Sequence, residues 1–260
     1  MSYNNATVLR EAATAGPASL AGSRLTVSLA RSREEVKEAQ RLRHRVFVEE
    51  MGAHAGRTGN LERDRYDPFC IHLIARDGAT GEVVGTYRVL TPERAAALGS
   101  LMAEREFDLT PLAPLRGGIV EVGRACIDAD YRCGSTIMLL WSGLAALTQS
   151  RGLSHLFGCV TVGWGERESD PHALYERLAQ RHLAPAEYRV LPRTEPPRRE
   201  GAACAPIPAL LKGYLRAGAW ICGEPAWDPE FETADLPVLL PLQRVESRYA
   251  RHFLRGAGAA

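Results

Sequence analysis

Polar and apolar side chains alternate with a period of two over Arg24–Leu29, which predicts a first strand. Ser32, with Glu35 three residues later, is a capping box that opens a helix predicted to run to about Glu50. Gly52 to Pro68 is rich in Gly, His and charge and reads as a long loop, a length often tied to function inside a compact domain. Two strands, Cys70–Arg76 and Val83–Leu90, flank the turn sequence Asp77-Gly78-Ala79-Thr80-Gly81 and predict a hairpin. A helix is expected after Pro92. It is followed by an irregular stretch, a strand at Ile119–Asp128, an apolar helix at Thr136–Ser150 and a strand at His155–Val162. Further on come a helix from about Pro171 to Arg181, a Pro- and Arg-rich loop over Glu195–Pro208 and a short helix at Ala209–Arg216. Strands near Ala219–Cys222 and Val238–Leu240 precede a terminal helix at Gln243–Leu254.

This order is α/β, with an antiparallel start and a parallel end, because strands joined through a helix, as across Ile119–Val162, must lie parallel. The expected architecture is a mixed sheet with helices on its faces. Its 260 residues, 45% hydrophobic and 24% charged, are enough for one large core and exclude wholesale disorder. No run approaches the ~18 apolar residues of a membrane span. Residues 1–24 lack the basic start and apolar core of a secretory signal and read as a flexible leader; 25–254 read as one domain and 255–260 as a tail. A net charge of +1 argues against a general nucleic-acid binder. Six cysteines without C-x-x-C spacing and without an export signal point to reduced thiols in the cytoplasm, with Cys126 and Cys159 expected in the core.

Several charged residues stand where charge is costly. At 100° per residue, Val36, Ala39, Val46 and Phe47 form one stripe of the first helix, and Arg43 lies in its middle; Arg41 and Arg45 point the other way. A guanidinium on a buried stripe needs an anionic partner, or its isolation costs several kcal/mol, as a rough figure. Asp64 and Asp67, three apart in the long loop, can answer a buried arginine, hold a cationic substrate or ligate a metal. Arg88 stands in an otherwise apolar strand and needs a partner too. Glu121 and Arg124 lie three apart on a strand, hence on opposite faces unless a bulge at Gly123 swings them together. A carboxylate in such a strand serves either as a general base of raised pKa or as half of an internal ion pair. Tyr131–Thr136 is a strand-to-helix turn whose free amides suit a phosphate. His72, His155 and His172 show no metal spacing, and no catalytic triad is legible.

Taken in order, Arg43 with Phe47, Asp64 and Asp67, Arg88 after Gly85, and Glu121 with Arg124 resemble the signature of acyl-homoserine lactone synthases, enzymes of GNAT-like acyltransferase fold. The stretches Glu121–Arg132, Leu139–Leu147, Leu156–Trp164 and Pro208–Leu242 resemble the ornithine-lipid acyltransferases more closely, and that resemblance spans about Leu25 to Phe253. One departure stands out. Many coenzyme A users of this fold carry Arg/Gln-x-x-Gly-x-Gly/Ala at the pyrophosphate turn. Here Arg132-x-Gly134 has one early glycine, with Ser135 and Ile137 where small residues are expected. A carrier-protein thioester presents a single phosphodiester, for which a smaller anion cradle suffices.

The resemblance implies a GNAT-like mixed sheet with a C-terminal extension. It implies transfer of a 3-hydroxyacyl chain from acyl carrier protein to the α-amino group of L-ornithine, giving lyso-ornithine lipid. Glu121 is then the general base, and Arg43, Phe47, Asp64, Asp67, Arg88 and Arg124 shape the acceptor pocket. Arg132, Gly134 and Ser135 form the donor-phosphate turn, and Arg41 and Arg45 are contacts for the acidic carrier. No bound cofactor or metal is implied; the acyl carrier protein thioester is a co-substrate. The implied location is cytoplasmic, with peripheral contact at the inner membrane. The alternatives at this point are an acyl-homoserine lactone synthase using S-adenosylmethionine, an N-acyltransferase for glycine or glutamine, and a non-catalytic membrane-associated protein.

Overall fold

The computed structural model describes residues 18–19, 25–53, 57–162, 169–198 and 203–245. Its centre is a sheet of nine described strands. They are β1 (Ala18–Ser19), β2 (Leu25–Leu29), β3 (Ile71–Asp77), β4 (Val83–Leu90), β5 (Ile119–Ile127), β6 (His155–Val162), β7 (Trp220–Ile221), β8 (Ala226–Asp228) and β9 (Thr233–Pro241). The order across the sheet is β1-β2-β3-β4-β5-β6-β9-β7, with β8 also on β9. Only β5 and β6 pair in parallel; the other neighbours are antiparallel, as the helical crossover between β5 and β6 requires.

Helices cover both faces. The capping box forms as expected, with the Ser32 hydroxyl accepting from the Glu35 amide and the Glu35 carboxylate from the Arg31 amide. It opens α1 (Arg33–Arg43), which continues as a π-helical turn, His44–Glu50. Ala39, Leu42 and Val46 on this segment pack against Ile74, Val83 and Cys126 of the sheet. A short α2 (Pro92–Leu98) follows β4. The opposite face carries α3 (Ser135–Ser150), which comes close enough that a Cβ at Gly143 would sit 3.1 Å from Leu73 and Val27. The chain then adds α4 (Pro171–His182) and α5 (Ala209–Arg216). No described helix is long and apolar enough to cross a membrane.

Two features of the sheet position the site. The β5–β6 ladder ends at Val122↔Gly158, although β5 runs on to Ile127 and β6 to Val162. The strands therefore part where Gly123–Ala125 begins. A bulge lies at the same level on the other side: Arg88 pairs with Gly123, while Thr86 pairs with Cys126, so two residues of β5 face Tyr87 alone. The bulge residue with the left-handed backbone is Arg124 (φ 50°), not Gly123. That conformation is strained for a residue with a side chain, and it re-aims the arginine.

The structure corrects some expectations. Ala18–Ser19, within the stretch read as a flexible leader, pairs with β2. The long loop contains a small hairpin, Arg57–Thr58 with Leu61–Glu62. The last strand is far longer than Val238–Leu240. It accommodates Pro237 because the missing amide falls between the segments that pair with β8 and β7, where β9 needs no donor. Cys159 packs against the core as expected but is only half-buried, because it also lines the cavity. Leu242–Arg244 form a 3₁₀ turn, and the rest of the expected terminal helix and the 255–260 tail lie outside the described residues.

Candidate active site

The splayed strands open a cavity of about 810 Å³. One arm is apolar, lined by Phe47, Met51, Ile137, Met138, Trp141 and Leu210, with the hydroxyls of Tyr87 and Tyr214 paired at 2.7 Å on its wall. The other end carries Glu121, Arg124, Glu106, Cys159, Asp228 and Asp235. A second cleft of about 590 Å³ opens beside it, bordered by Arg65, Arg105 and Arg193; Asp64, Arg105 and Glu106 line both. The lining thus offers apolar surface for a long chain and charged groups, Glu121 among them, for a small ionic molecule.

Glu121 is 2% exposed. Its Oε2 accepts from the Met102 amide at 2.5 Å and its Oε1 from the Ala103 amide at 2.8 Å. Both amides belong to the 3₁₀ turn Met102–Arg105, which seats the carboxylate at the start of the splay. Burial outweighs these two bonds and pushes the carboxyl up to about 7. At neutral pH such a group can both take and return a proton.

Beside it lies a network of three arginines and three acids. Arg43 is completely enclosed and uses every face of its guanidinium: Nε donates to Glu62 Oε2 (2.5 Å), Nη1 to Asp67 Oδ1 (2.7 Å), and Nη2 to the Glu62 carbonyl and Asp67 Oδ2. Arg88 pairs with Asp64 at 2.7 Å, and Arg124 reaches Glu62 at 3.1 Å and Asp64 at 3.5 Å. Arg43 therefore pairs with Asp67 as foreseen but with Glu62 rather than Asp64; Asp64 belongs to Arg88. Glu62 is fully buried and went unnoticed, because it stands among the polar residues of a loop without any apolar pattern to mark it. Burial is the largest influence on Asp67, but its arginine partners overcome it and hold the carboxyl far below the usual carboxylate range. Phe47, Asp64, Arg88 and Arg124 line the cavity, whereas Arg43, Glu62 and Asp67 stand behind that wall. Arg124 also lies over the Phe231 ring, 4.6 Å from its centroid, and Phe231 meets Phe47 edge-on.

Gly134 (φ 94°) caps α3 with no side-chain hydrogen bond of its own; the Cys133 sulfur engages the Ser135 hydroxyl and amide, so the helical amides open to an anion are those that follow Ser135. Arg132 and Gly134 line the cavity. Arg132 is engaged with both Glu50 oxygens, at 2.5 and 2.6 Å. Arg41 and Arg45 are on the outer surface, paired with Glu34 and Asp128. The sequence reading missed Glu106, Asp228 and Asp235. Asp235 had a usable signal, the same one that marked Glu121: a lone carboxylate in an apolar strand.

A buried carboxylate of raised pKa at a splayed β5–β6 pair, fed by an apolar arm, defines an acyltransferase of GNAT type. Residues 42–142 match the family model described as "Acetyltransferase (GNAT) domain". An L-ornithine N(alpha)-acyltransferase of Rhodobacter capsulatus is 34% identical, covering 88% of this chain and 94% of that protein. One of Rhizobium meliloti is 32% identical, covering 96% and 92%. The chain belongs to the L-ornithine N(alpha)-acyltransferase family. Among solved structures, the acyl-homoserine lactone synthase LasI has a TM-score of 0.53 at 15% identity (92% of this chain, 99% of that one). The coenzyme A-dependent synthase BjaI, with S-adenosylmethionine and isopentyl-CoA, has 0.52 at 18% (87% and 83%). These two likenesses establish the fold alone.

Proposed function

We propose that this acyltransferase moves a 3-hydroxyacyl chain from acyl carrier protein to the α-amino group of L-ornithine, forming lyso-ornithine lipid. The observation that carries this reading is the buried Glu121 carboxyl on the wall of a cavity lined by both apolar and charged side chains. The acceptor named for the relatives, a small diamino acid, suits the charged end, and a fatty chain suits the apolar arm.

Each step has a group on hand. Glu121 takes a proton from the α-ammonium, directly or through water. The freed amine attacks the thioester carbonyl and the C–N bond forms. As the C–S bond breaks, the nitrogen of the intermediate gives up its second proton and the departing pantetheine sulfur takes up one, leaving as a thiol. Backbone amides of Gly123–Ala125, beyond the last β5–β6 rung, are the candidates to hold the oxyanion. The nucleophile is the substrate's own amine, so neither a protein nucleophile nor a metal has a part in this scheme. The network of Arg43, Asp64, Asp67, Arg88 and Arg124 keeps the bulge and the acceptor wall in place, with Phe47 against the acyl chain. The donor phosphate sits at Gly134 and Ser135 beside Arg132, and the carrier docks near Arg41 and Arg45. The amphiphilic product places the reaction at the cytoplasmic face of the inner membrane, by peripheral contact.

Expression in a bacterium that makes no ornithine lipid, with mass spectrometry of the extracted lipids, tests this. Nα-(3-hydroxyacyl)ornithine is the expected new species. An acyl-homoserine lactone, an acylated glycine or glutamine, or no new lipid contradicts it.

A further inference from the structure

Glu106, Cys159 and Asp235 each bring a side-chain ligand atom within 4.8 Å of the other two. Asp235 is only 9% exposed, and both it and Glu106 line the cavity. Apart from any proton the pair shares, Glu106 Oε2 and Asp235 Oδ1 receive no hydrogen bond among the described residues. Neither carboxylate has a basic partner within ion-pair distance there. Arg105 is bound to Glu230 at 3.0 Å, and Arg124 to Glu62 and Asp64. Asp228, 4% exposed, adds a third acid, steadied by the Glu230 and Phe231 amides.

The sheet register sets the distance from the base. Glu121 pairs with Phe157 on β6, and Cys159 and Thr161 follow on the same face, with Asp235 opposite Thr161. Cys159 thus lies ~6.6 Å along the strand from the level of Glu121 and one strand spacing, ~4.8 Å, to the side. The three methylenes of ornithine hold its two nitrogens roughly 6 Å apart when extended. Glu106 and Asp235 reach the Cys159 level because their ligand atoms lie within 4.8 Å of its sulfur, and they line the same cavity as Glu121.

We propose that Glu106 and Asp235 form the acceptor-selecting subsite, taking the side-chain ammonium of a diamino acid while its α-amine lies at Glu121. This rests on the acceptor reading above and extends it to named residues. Burial, with the neighbouring acids Asp235 and Asp228 around Glu106 and Asp228 beside Asp235, pushes both carboxyls above their ordinary range, and an arriving ammonium offsets that crowding of negative charge. An ammonium held in this way stays protonated and cannot attack, which directs acylation to the α-nitrogen. Burial also drives the Cys159 thiol well above its ordinary value, which makes it a poor thiolate ligand for a metal.

The test compares kcat/KM for ornithine with that for norvaline, which has the same carbon chain without the second amine, in wild type, Glu106→Gln and Asp235→Asn. Wild type should favour ornithine at least ~10²-fold, as sites built around a buried polar contact do. Each variant should cut that ratio at least tenfold, mainly through the KM for ornithine. Should a variant fail to fold, the wild-type melt decides: ornithine should raise the Tm and norvaline should not. An unchanged ratio in folded variants, or equal shifts by both amino acids, overturns the subsite. So does wild-type activity that a chelator abolishes and a divalent ion restores. If wild type uses neither amino acid but acylates another acceptor, the functional reading itself falls, an outcome distinct from ornithine use without the predicted ratio change.

Discussion

Two groups of buried charge lie on either side of Arg124, and they are built on opposite principles. In the arginine network each of Glu62, Asp64 and Asp67 has a guanidinium within 2.7 Å. In the Glu106–Asp235 group, acid faces acid: the Thr161 side chain hydrogen-bonds Asp235, and Arg105 and Arg124 act only from beyond ion-pair distance. Burying an ion is tolerable when a partner and hydrogen bonds replace water, and costly otherwise. The first group therefore belongs to the scaffold. The second holds an unspent negative potential beside the base, which is what a cationic acceptor requires. Charge that is answered within the fold supports; charge left unanswered on a cavity wall receives.

Removing one partner of the answered group should have the largest effect. Arg43→Ala takes from Glu62 and Asp67 their shortest partner, leaving them Arg124 at 3.1 Å and Arg88 at 3.6 Å, and should cost roughly 3–5 kcal/mol of stability. In a chain of this size that lowers the Tm by about 10 °C. A melt like that of wild type would mean the network contributes nothing to the fold and would erase the contrast between the two groups.

Next in size is an opposite response to pH. The carboxyl of Asp67 is held below its unfolded value, so its contribution is present above about pH 4 and is lost as pH falls through its folded pKa. Glu106 and Asp235 are raised by burial and neighbouring acids, so their contribution is full below about pH 4 and is lost as pH rises from there through their folded values. Glu106→Gln should therefore flatten the alkaline side of the stability curve and leave the acid side alone. Denaturant titrations from pH 2 to 10 measure both limbs, and a change confined to the acid limb would reverse the assignment.

The smallest effect concerns the outer face. Arg41 and Arg45 are already paired with Glu34 and Asp128, so reversing both charges should barely alter stability. It should reduce kcat/KM for an acyl carrier protein substrate several-fold at low salt, and little at high salt, where screening acts within ~10 Å. A salt-independent rate with the wild-type protein would remove the carrier from that face.

Much of the fold was legible because it follows from local patterns. The capping box, the Asp77–Gly81 turn and the apolar runs of β3, β4 and α3 each specify their element without outside help. The parallel β5–β6 pair follows from its helical crossover. The π-helical turn after Arg43 and the left-handed Arg124 were not legible, since tertiary pairing imposes both. Within the site, Arg43, Arg88 and Glu121 stood out as charges inside apolar periods. Glu62 and Glu106 sit in polar surroundings and gain meaning only when the chain folds over them. The amides of Met102 and Ala103 that seat Glu121 have no signature in side chains at all.

The central claim is that Glu121, between the apolar arm and the acidic face, removes the proton from the acceptor amine. The most direct measurement is the pH dependence of kcat/KM for ornithine in wild type and in Glu121→Gln, with a saturating 3-hydroxyacyl carrier protein. Its raised pKa means the base is available only above about pH 7, so the wild-type rate should climb through that value and then level. The near-isosteric glutamine should fold normally, lower the rate by about 10²–10⁴ and lose that inflection. A Gln variant that keeps the wild-type rate and the same inflection would contradict the account.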